Sequence, residues 1–137
     1  MAVLQQFMTE NVKTCSPSDD IRSVASVMAD ENVGMVPVES DGKLVGCVTD
    51  RDIVVNGLAR DVGSNEILVG DIMTEKIISG KPDMPVEDAS LLMQDHQIRR
   101  LMIVEDGKLK GIVSLGDLAA SKQADQAAGN ALSEISK

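Results

Sequence analysis

A chain of 137 residues has room for one compact domain, or for two small ones that share a core. Apolar residues at 43% and charged residues at 26% are globular proportions, which exclude a disordered polyelectrolyte or a collagen-like repeat. Twenty-two Asp and Glu against 13 Lys and Arg leave a net charge of -9, a field that repels phosphate backbones and anionic membranes, so nucleic acid is not an expected partner. No apolar run approaches the roughly 18 to 20 residues that span a bilayer. The opening MAVLQQFMTE lacks the basic flank and apolar stretch of a signal peptide, so a cytoplasmic location without membrane attachment is expected.

Taken in chain order, a short extended piece, Val12 to Cys15, stops at Pro17. Ile21, Val24, Ala25 and Met28 then fall at i, i+3, i+4 and i+7, which predicts a helix with one buried stripe and Asp20 as its N-cap. Two β-rich runs follow, Val36 to Glu39 and Leu44 to Val48. They are joined by Asp41-Gly42, a hairpin signal because Gly accepts the positive φ of a type I′ turn. A second helix is expected from Thr49. The same grammar returns with Ile77 to Gly80, Pro82, and a helix stripe of Val86, Ala89 and Met93 with Pro85 in its first turn. A hairpin of Leu101 to Glu105 and Leu109 to Val113 around Asp106-Gly107 and a helix from Ser114 complete it. The final AASKQADQAAGNALSEISK is Ala-rich and helical in pattern, with a break at Gly129.

This return is a tandem duplication: residues 7–53 align without a gap on 72–118. Met8-Thr9-Glu10 matches Met73-Thr74-Glu75, Pro17 matches Pro82, and Asp41-Gly42-Lys43-Leu44 matches Asp106-Gly107-Lys108-Leu109. The expected organisation is a first copy at 1–60, a linker at 61–68 that overlaps the stretch GLARDVGSNEI at 57–67, a second copy at 69–121 and a tail at 122–137. A unit of roughly 50 residues rarely stabilises a core alone. The fold class is therefore α/β (α+β), two β-α-β-β-α repeats packed with pseudo-two-fold symmetry and two related clefts.

Gly46-Cys47-Val48-Thr49-Asp50-Arg51-Asp52 and Gly111-Ile112-Val113-Ser114-Leu115-Gly116-Asp117 carry the most chemistry. Both have a glycine, two apolar residues, a hydroxyl residue and, three residues on, a carboxylate. One explanation is structural: such a spacing is a capping box, in which hydroxyl and carboxylate satisfy unpaired N–H groups at a helix start. The other is functional, because free N–H groups and a hydroxyl suit a phosphate, a carboxylate accepts ribose hydroxyls, and the glycine admits a close neighbour. With Phe7 as the one aromatic residue, a flat ligand must stack on aliphatic walls.

The duplicated unit with FMT or IMT at its start, the V-P-V strand, the Asp-Gly hairpin and the repeated motif resemble the CBS (cystathionine β-synthase) domain pair, or Bateman module. The resemblance covers residue 3 to about 121, and Cys47 to Val54 resembles stand-alone bacterial members. It implies a regulatory module that binds AMP, ADP, ATP or S-adenosylmethionine in its clefts, with no other cofactor required. By the resemblance, Asp52 and Asp117 hold ribose and Thr49 and Ser114 hold phosphate. Thr14, Met35, Val36, Pro37, Ser79 and Ile98 wall the base, Arg99 and Arg100 reach phosphates, and Arg51, inside the first motif, is expected to join them as a ligand-binding cation. The first-copy counterparts of Arg99 and Arg100 are Gly34 and Met35, Arg51 has Gly116 as its counterpart, and Met102 replaces Pro37, so two unequal sites are expected.

The rest of the chain offers little chemistry of other kinds. Cys15, Cys47 and the lone His96 make no CxxC or HxxxH spacing, so no zinc site is expected, although one disulfide stays open. No motif pairs a nucleophile with a base, which argues against an enzyme. His96 is expected to interact with a helix C-terminus, and the methionines to fill the core. A homodimer through helices is expected, with an unidentified protein partner a further possibility. Two rival readings are a scaffold that has lost ligand binding and a divalent-cation sensor built on surface carboxylates.

Overall fold

The computed structural model describes residues 2–60 and 67–119. Most of the expected linker and all of the 122–137 tail lie outside the described residues. The chain forms two compact units, a continuous one at Lys13–Ile77 and a split one composed of the residues up to Val12 and those from Ile78 onward.

In the continuous unit, helix α1 (Ile21–Glu31) starts where Asp20 accepts a 2.8 Å hydrogen bond from the Ser23 N–H, as the sequence predicts. It ends at Asn32, whose left-handed backbone closes the last turn. Strands β1 (Met35–Ser40) and β2 (Lys43–Thr49) pair antiparallel. Asp41 and Gly42 both take positive φ, 53° and 77°, as a type I′ turn requires. Cys15 adds a parallel bridge to Val38 beside β1. A π-helical segment, Asp52–Gly57, follows β2, and the short helix α2 is Val69–Ile72. Ile21, Val24 and Met28 pack with Val36, Val38, Val48, Ile53, Ile67, Val69 and Ile72 into one core. Ala25, expected on the buried stripe, is exposed instead: the stripe is narrower than its sequence pattern.

The split unit repeats this plan with β3 (Ser79–Gly80), α3 (Val86–His96), β4 (Arg100–Glu105), β5 (Lys108–Ser114) and α4 (Leu115–Ala119). The strand order is β3-β4-β5, parallel then antiparallel. Pro85 sits one residue outside α3 with extended backbone, and its carbonyl accepts the Ala89 N–H. Asp106 and Gly107 repeat the positive-φ turn. The core joins Val86, Ala89 and Met93 to Leu101, Ile103, Val113, Leu115 and Leu118, and is completed by Ala2 and Leu4 from the chain start. Each fully buried Val, Leu, Ile or Met side chain among them contributes about 1.5–3 kcal/mol relative to exposure. Ser90, the counterpart of Ala25, is buried with its hydroxyl unpaired among the described residues. No helix among the described residues is long and apolar enough to cross a membrane.

The compact units are out of phase with the sequence repeat. Thr74, from the head of the second copy, pairs with Cys47 of the first through N–H to carbonyl bonds of 3.0 and 2.8 Å. Thr9, from the head of the first copy, pairs with Ile112 of the second at 2.8 and 3.0 Å. Both pairings need a glycine: a Cβ on Gly46 would lie 2.7 Å from the Thr74 carbonyl oxygen, and one on Gly111 would lie 2.7 Å from that of Thr9. The obstacle is backbone, which cannot rotate aside. Gly46→Ala and Gly111→Ala are therefore expected to lose about 1–3 kcal/mol in urea unfolding, as overpacked sites do. Gly116→Ala, whose nearest new neighbour is the Ser114 hydroxyl at 3.6 Å, is expected to be neutral or stabilising in the same measurement.

Candidate functional site

At the end of β2 the Asp52 N–H donates to the Thr49 hydroxyl at 3.0 Å, while the Thr49 N–H donates to the Asp52 carboxylate at 3.0 Å. The split unit has the same reciprocal pair, Asp117 N–H to the Ser114 hydroxyl and Ser114 N–H to the Asp117 carboxylate, each at 3.0 Å. Both motifs are thus capping boxes in fact. The strands run through Thr49 and Ser114, and the helical turns begin one residue later than expected, because these caps end each strand and open the helical turn together.

The caps leave capacity unused. An ionised carboxylate has about four lone-pair sites, and a hydroxyl that accepts one bond retains its proton for donation. Thr49, Asp52, Ser114 and Asp117 are all only half-buried, so this capacity is reachable. The two carboxylates are not equally engaged. Asp52 also accepts from the Thr74 hydroxyl at 3.4 Å and the Asn56 amide at 3.5 Å. Asp117 accepts only the Ser114 N–H among the hydrogen bonds of the described residues.

The strand ladders bring some of the expected residues to these motifs. Met35 stands opposite Thr49 and Arg100 opposite Ser114. The Leu115 N–H donates to the Arg99 carbonyl at 3.0 Å, which fixes Arg99 beside the same turn. Thr14 precedes Cys15, whose N–H donates to the Pro37 carbonyl, and Ser79 pairs with Met102 on β4. Arg51, Arg99 and Arg100 are exposed. Val36 does not share this face: at 1% exposure its side chain belongs to the core, and Pro37 is buried as well. Ile98 packs partly against the core of the split unit. Sequence reasoning missed Thr74, although it lies in the repeated Met-Thr-Glu triplet. It also missed Asn56, one helical turn beyond Asp52, and Asp50, which follows Thr49.

Neither cysteine is in a disulfide; both thiols are free, which closes the alternative left open by the sequence. Burial, and then the Asp19 charge, push the Cys15 thiol up from 9.0 to about 12. Burial, and then the Asp52 carboxylate, also raise that of Cys47. His96 is the exposed last residue of α3. Among the described residues no group of three or more His, Cys, Asp or Glu is placed to hold a metal ion.

A family model described as the CBS domain matches the chain twice, over residues 4–57 and 69–123. The chain belongs to the CBS domain family. It is 44% identical to the CBS domain-containing protein YhcV of Bacillus subtilis over 136 residues, 99% of this chain and 96% of that one. Among solved structures it resembles Hypoxic Response Protein I with two coordinated zinc ions, at 27% identity and a TM-score of 0.78, over 88% of this chain and 98% of that one. It resembles CBSX2 in complex with AMP to the same degree, 27% identity and a TM-score of 0.78, over 92% of this chain and 99% of that one. These matches agree with the mixed α/β class and the tandem arrangement expected of a CBS pair.

Two outcomes follow from the caps and the thiols. Asp52→Ala and Asp117→Ala each remove a capping contact and are expected to cost about 0.5–2 kcal/mol in chemical unfolding. For Cys15, the fold favours the protonated thiol. Its contribution is therefore complete below the unfolded value of 9.0 and is lost as pH rises toward about 12. Unfolding midpoints measured from pH 8 to 11 should fall more steeply for the native protein than for Cys15→Ala, in which the shared lysine titrations remain.

Proposed function

We propose that this CBS pair is a regulatory module that binds an adenosine-containing ligand, AMP, ADP, ATP or S-adenosylmethionine, at its two motifs and signals through that occupancy. The observation that carries this reading is the open valence of the repeated capping box, most plainly in the split unit. There Asp117 accepts a single hydrogen bond among the described residues, the Ser114 hydroxyl keeps its proton, and Arg99 and Arg100 lie exposed beside them. A carboxylate can accept both hydroxyls of a ribose, and guanidinium and hydroxyl groups donate to phosphate oxygens. Cap and ligand contacts then coexist, since each uses different lone pairs of one side chain.

The roles follow residue by residue. Asp52 and Asp117 accept from ribose, the Ser114 hydroxyl donates to phosphate and the Thr49 hydroxyl to the 5′ substituent of its own ligand, and Met35, Thr14, Ser79 and Ile98 offer non-aromatic walls to the base. The AMP held by CBSX2 supports the ligand class. The module acts by binding and not by catalysis: the motifs pair a hydroxyl with a carboxylate that caps it, without a neighbouring histidine or lysine to act as base. The divalent-cation reading has no three-ligand group in its favour among the described residues.

The chain has no Trp or Tyr and hence almost no absorbance at 280 nm, which makes the test direct. Protein purified gently, or titrated with AMP, ADP, ATP and S-adenosylmethionine, is expected to show an adenine component identifiable by mass spectrometry after denaturation. At 100 times its dissociation constant the ligand should stabilise the fold by about 2.7 kcal/mol, visible as a thermal shift. Asp52→Ala combined with Asp117→Ala should abolish that shift. Absence of binding by all four compounds would leave the motifs as helix caps and the module as a scaffold.

A further inference from the structure

Although the two motifs share their hydrogen bonds, their surroundings differ in charge. In the split unit the turn after β5 is flanked by Arg99 and Arg100, and the residue after Ser114 is Leu115, which is buried in the core. In the continuous unit the counterparts are Gly34, Met35 and Asp50. Gly34 is not open space: a Cβ there would lie 3.1 Å from an Asp50 carboxylate oxygen. A carboxylate thus stands where the other copy begins an arginine side chain. Asp50 is held in place, since its carboxylate accepts the Arg51 N–H at 2.8 Å and its own N–H donates to the Gly34 carbonyl at 2.9 Å.

The local charges therefore have opposite signs. Asp50, Arg51 and Asp52 leave one net negative charge, whereas Arg99, Arg100 and Asp117 leave one net positive charge. Among the described residues neither Arg99 nor Arg100 has a salt-bridge partner, so both guanidiniums are available to a ligand. A phosphate placed beside Asp50 meets like charge, while one placed beside Arg99 and Arg100 meets paired donors suited to its oxygens.

We propose that the two motifs sort ligands by charge: the Ser114–Asp117 motif takes the phosphate-bearing nucleotide through Arg99 and Arg100, while Asp50 makes the Thr49–Asp52 motif refuse phosphates and accept an uncharged or cationic nucleoside. This rests on the adenosine-binding reading and adds to it a specificity-determining residue, Asp50. It also explains a functional reason for the unequal copies, because a module with two differently charged sites responds to the ratio of two metabolite classes and not to one concentration.

The test is isothermal titration of the full chain with ATP, adenosine and S-adenosylmethionine at two ionic strengths. The native protein is expected to bind one ATP per chain, with a marked salt dependence, and to bind adenosine or S-adenosylmethionine at the other site even when ATP is saturating. Arg100→Met, with Arg100→Gln as a second variant, should weaken ATP about 10- to 100-fold, the loss of one or two charge-assisted hydrogen bonds, and leave adenosine within about twofold. Asp50→Asn should strengthen ATP at the other site at least about tenfold, and Asp50→Leu combined with Met35→Arg should create a second ATP site. Melting curves of each variant confirm that it folds. Two equal ATP sites in the native protein, equal losses of ATP and adenosine in both Arg100 variants, or no change of ATP binding in Asp50→Asn would each overturn the sorting while leaving adenosine binding intact. Failure of every adenine compound to bind would overturn the underlying reading and this inference with it.

Discussion

The approach of a threonine carbonyl to a glycine without a side chain organises both units. At Gly46 and Gly111 the backbone of a Met-Thr segment comes within the distance a Cβ would occupy, and the neighbouring residues Cys47 and Ile112 exchange both main-chain hydrogen bonds with Thr74 and Thr9. These paired bonds hold the segment where they are made. With this contact go the split composition of one unit and the reach of the Thr74 hydroxyl to Asp52. It also supplies each small core with apolar residues that its own stretch of β-α-β-β-α lacks, which matters because a unit of this size is marginal by itself.

The capping boxes illustrate how one pair of side chains serves stability and recognition together. A hydroxyl and a carboxylate three residues apart satisfy two N–H groups that a helix start leaves unpaired. Because neither side chain is exhausted by that duty, the same turn remains able to hold a ligand, and the partners around it decide which. Around Asp52 the extra bonds from Thr74 and Asn56 and the neighbouring Asp50 make a crowded, acidic turn. Around Asp117 the turn is more open and its nearest charged neighbours along the ladder are cations. Duplication preserved the backbone solution and let the charges diverge, since a main-chain cap tolerates many neighbours and a ligand does not.

Much of this was legible in the residues themselves, for identifiable reasons. The Asp-Gly turns, the Asp20 cap, the helix stripes and the hairpin strands depend on interactions between residues near in sequence, and each formed at or within a residue or two of its expected place. The hydroxyl-carboxylate pair is likewise a three-residue spacing and was visible as such. Ala25 was misplaced because periodicity gives a stripe without its width: how many residues a face buries depends on what packs on it. Thr74 and Leu4 were missed as members of their units because they lie many residues from the strands and helices they join.

By itself, then, the sequence determined that the chain is a tandem repeat of β-α-β-β-α units, where their turns and caps fall, and which family it belongs to, all of which rest on short-range patterns repeated twice. Only the tertiary structure decided which Met-Thr segment completes which unit, that both motifs close as reciprocal caps, and that Asp50 occupies the space beside Gly34 while Arg99 and Arg100 stand without salt-bridge partners among the described residues. The physical reason is the same in each case: a long-range backbone pairing or a side-chain environment is set by atoms distant in the chain, and no local pattern encodes which of two nearly identical copies will supply them.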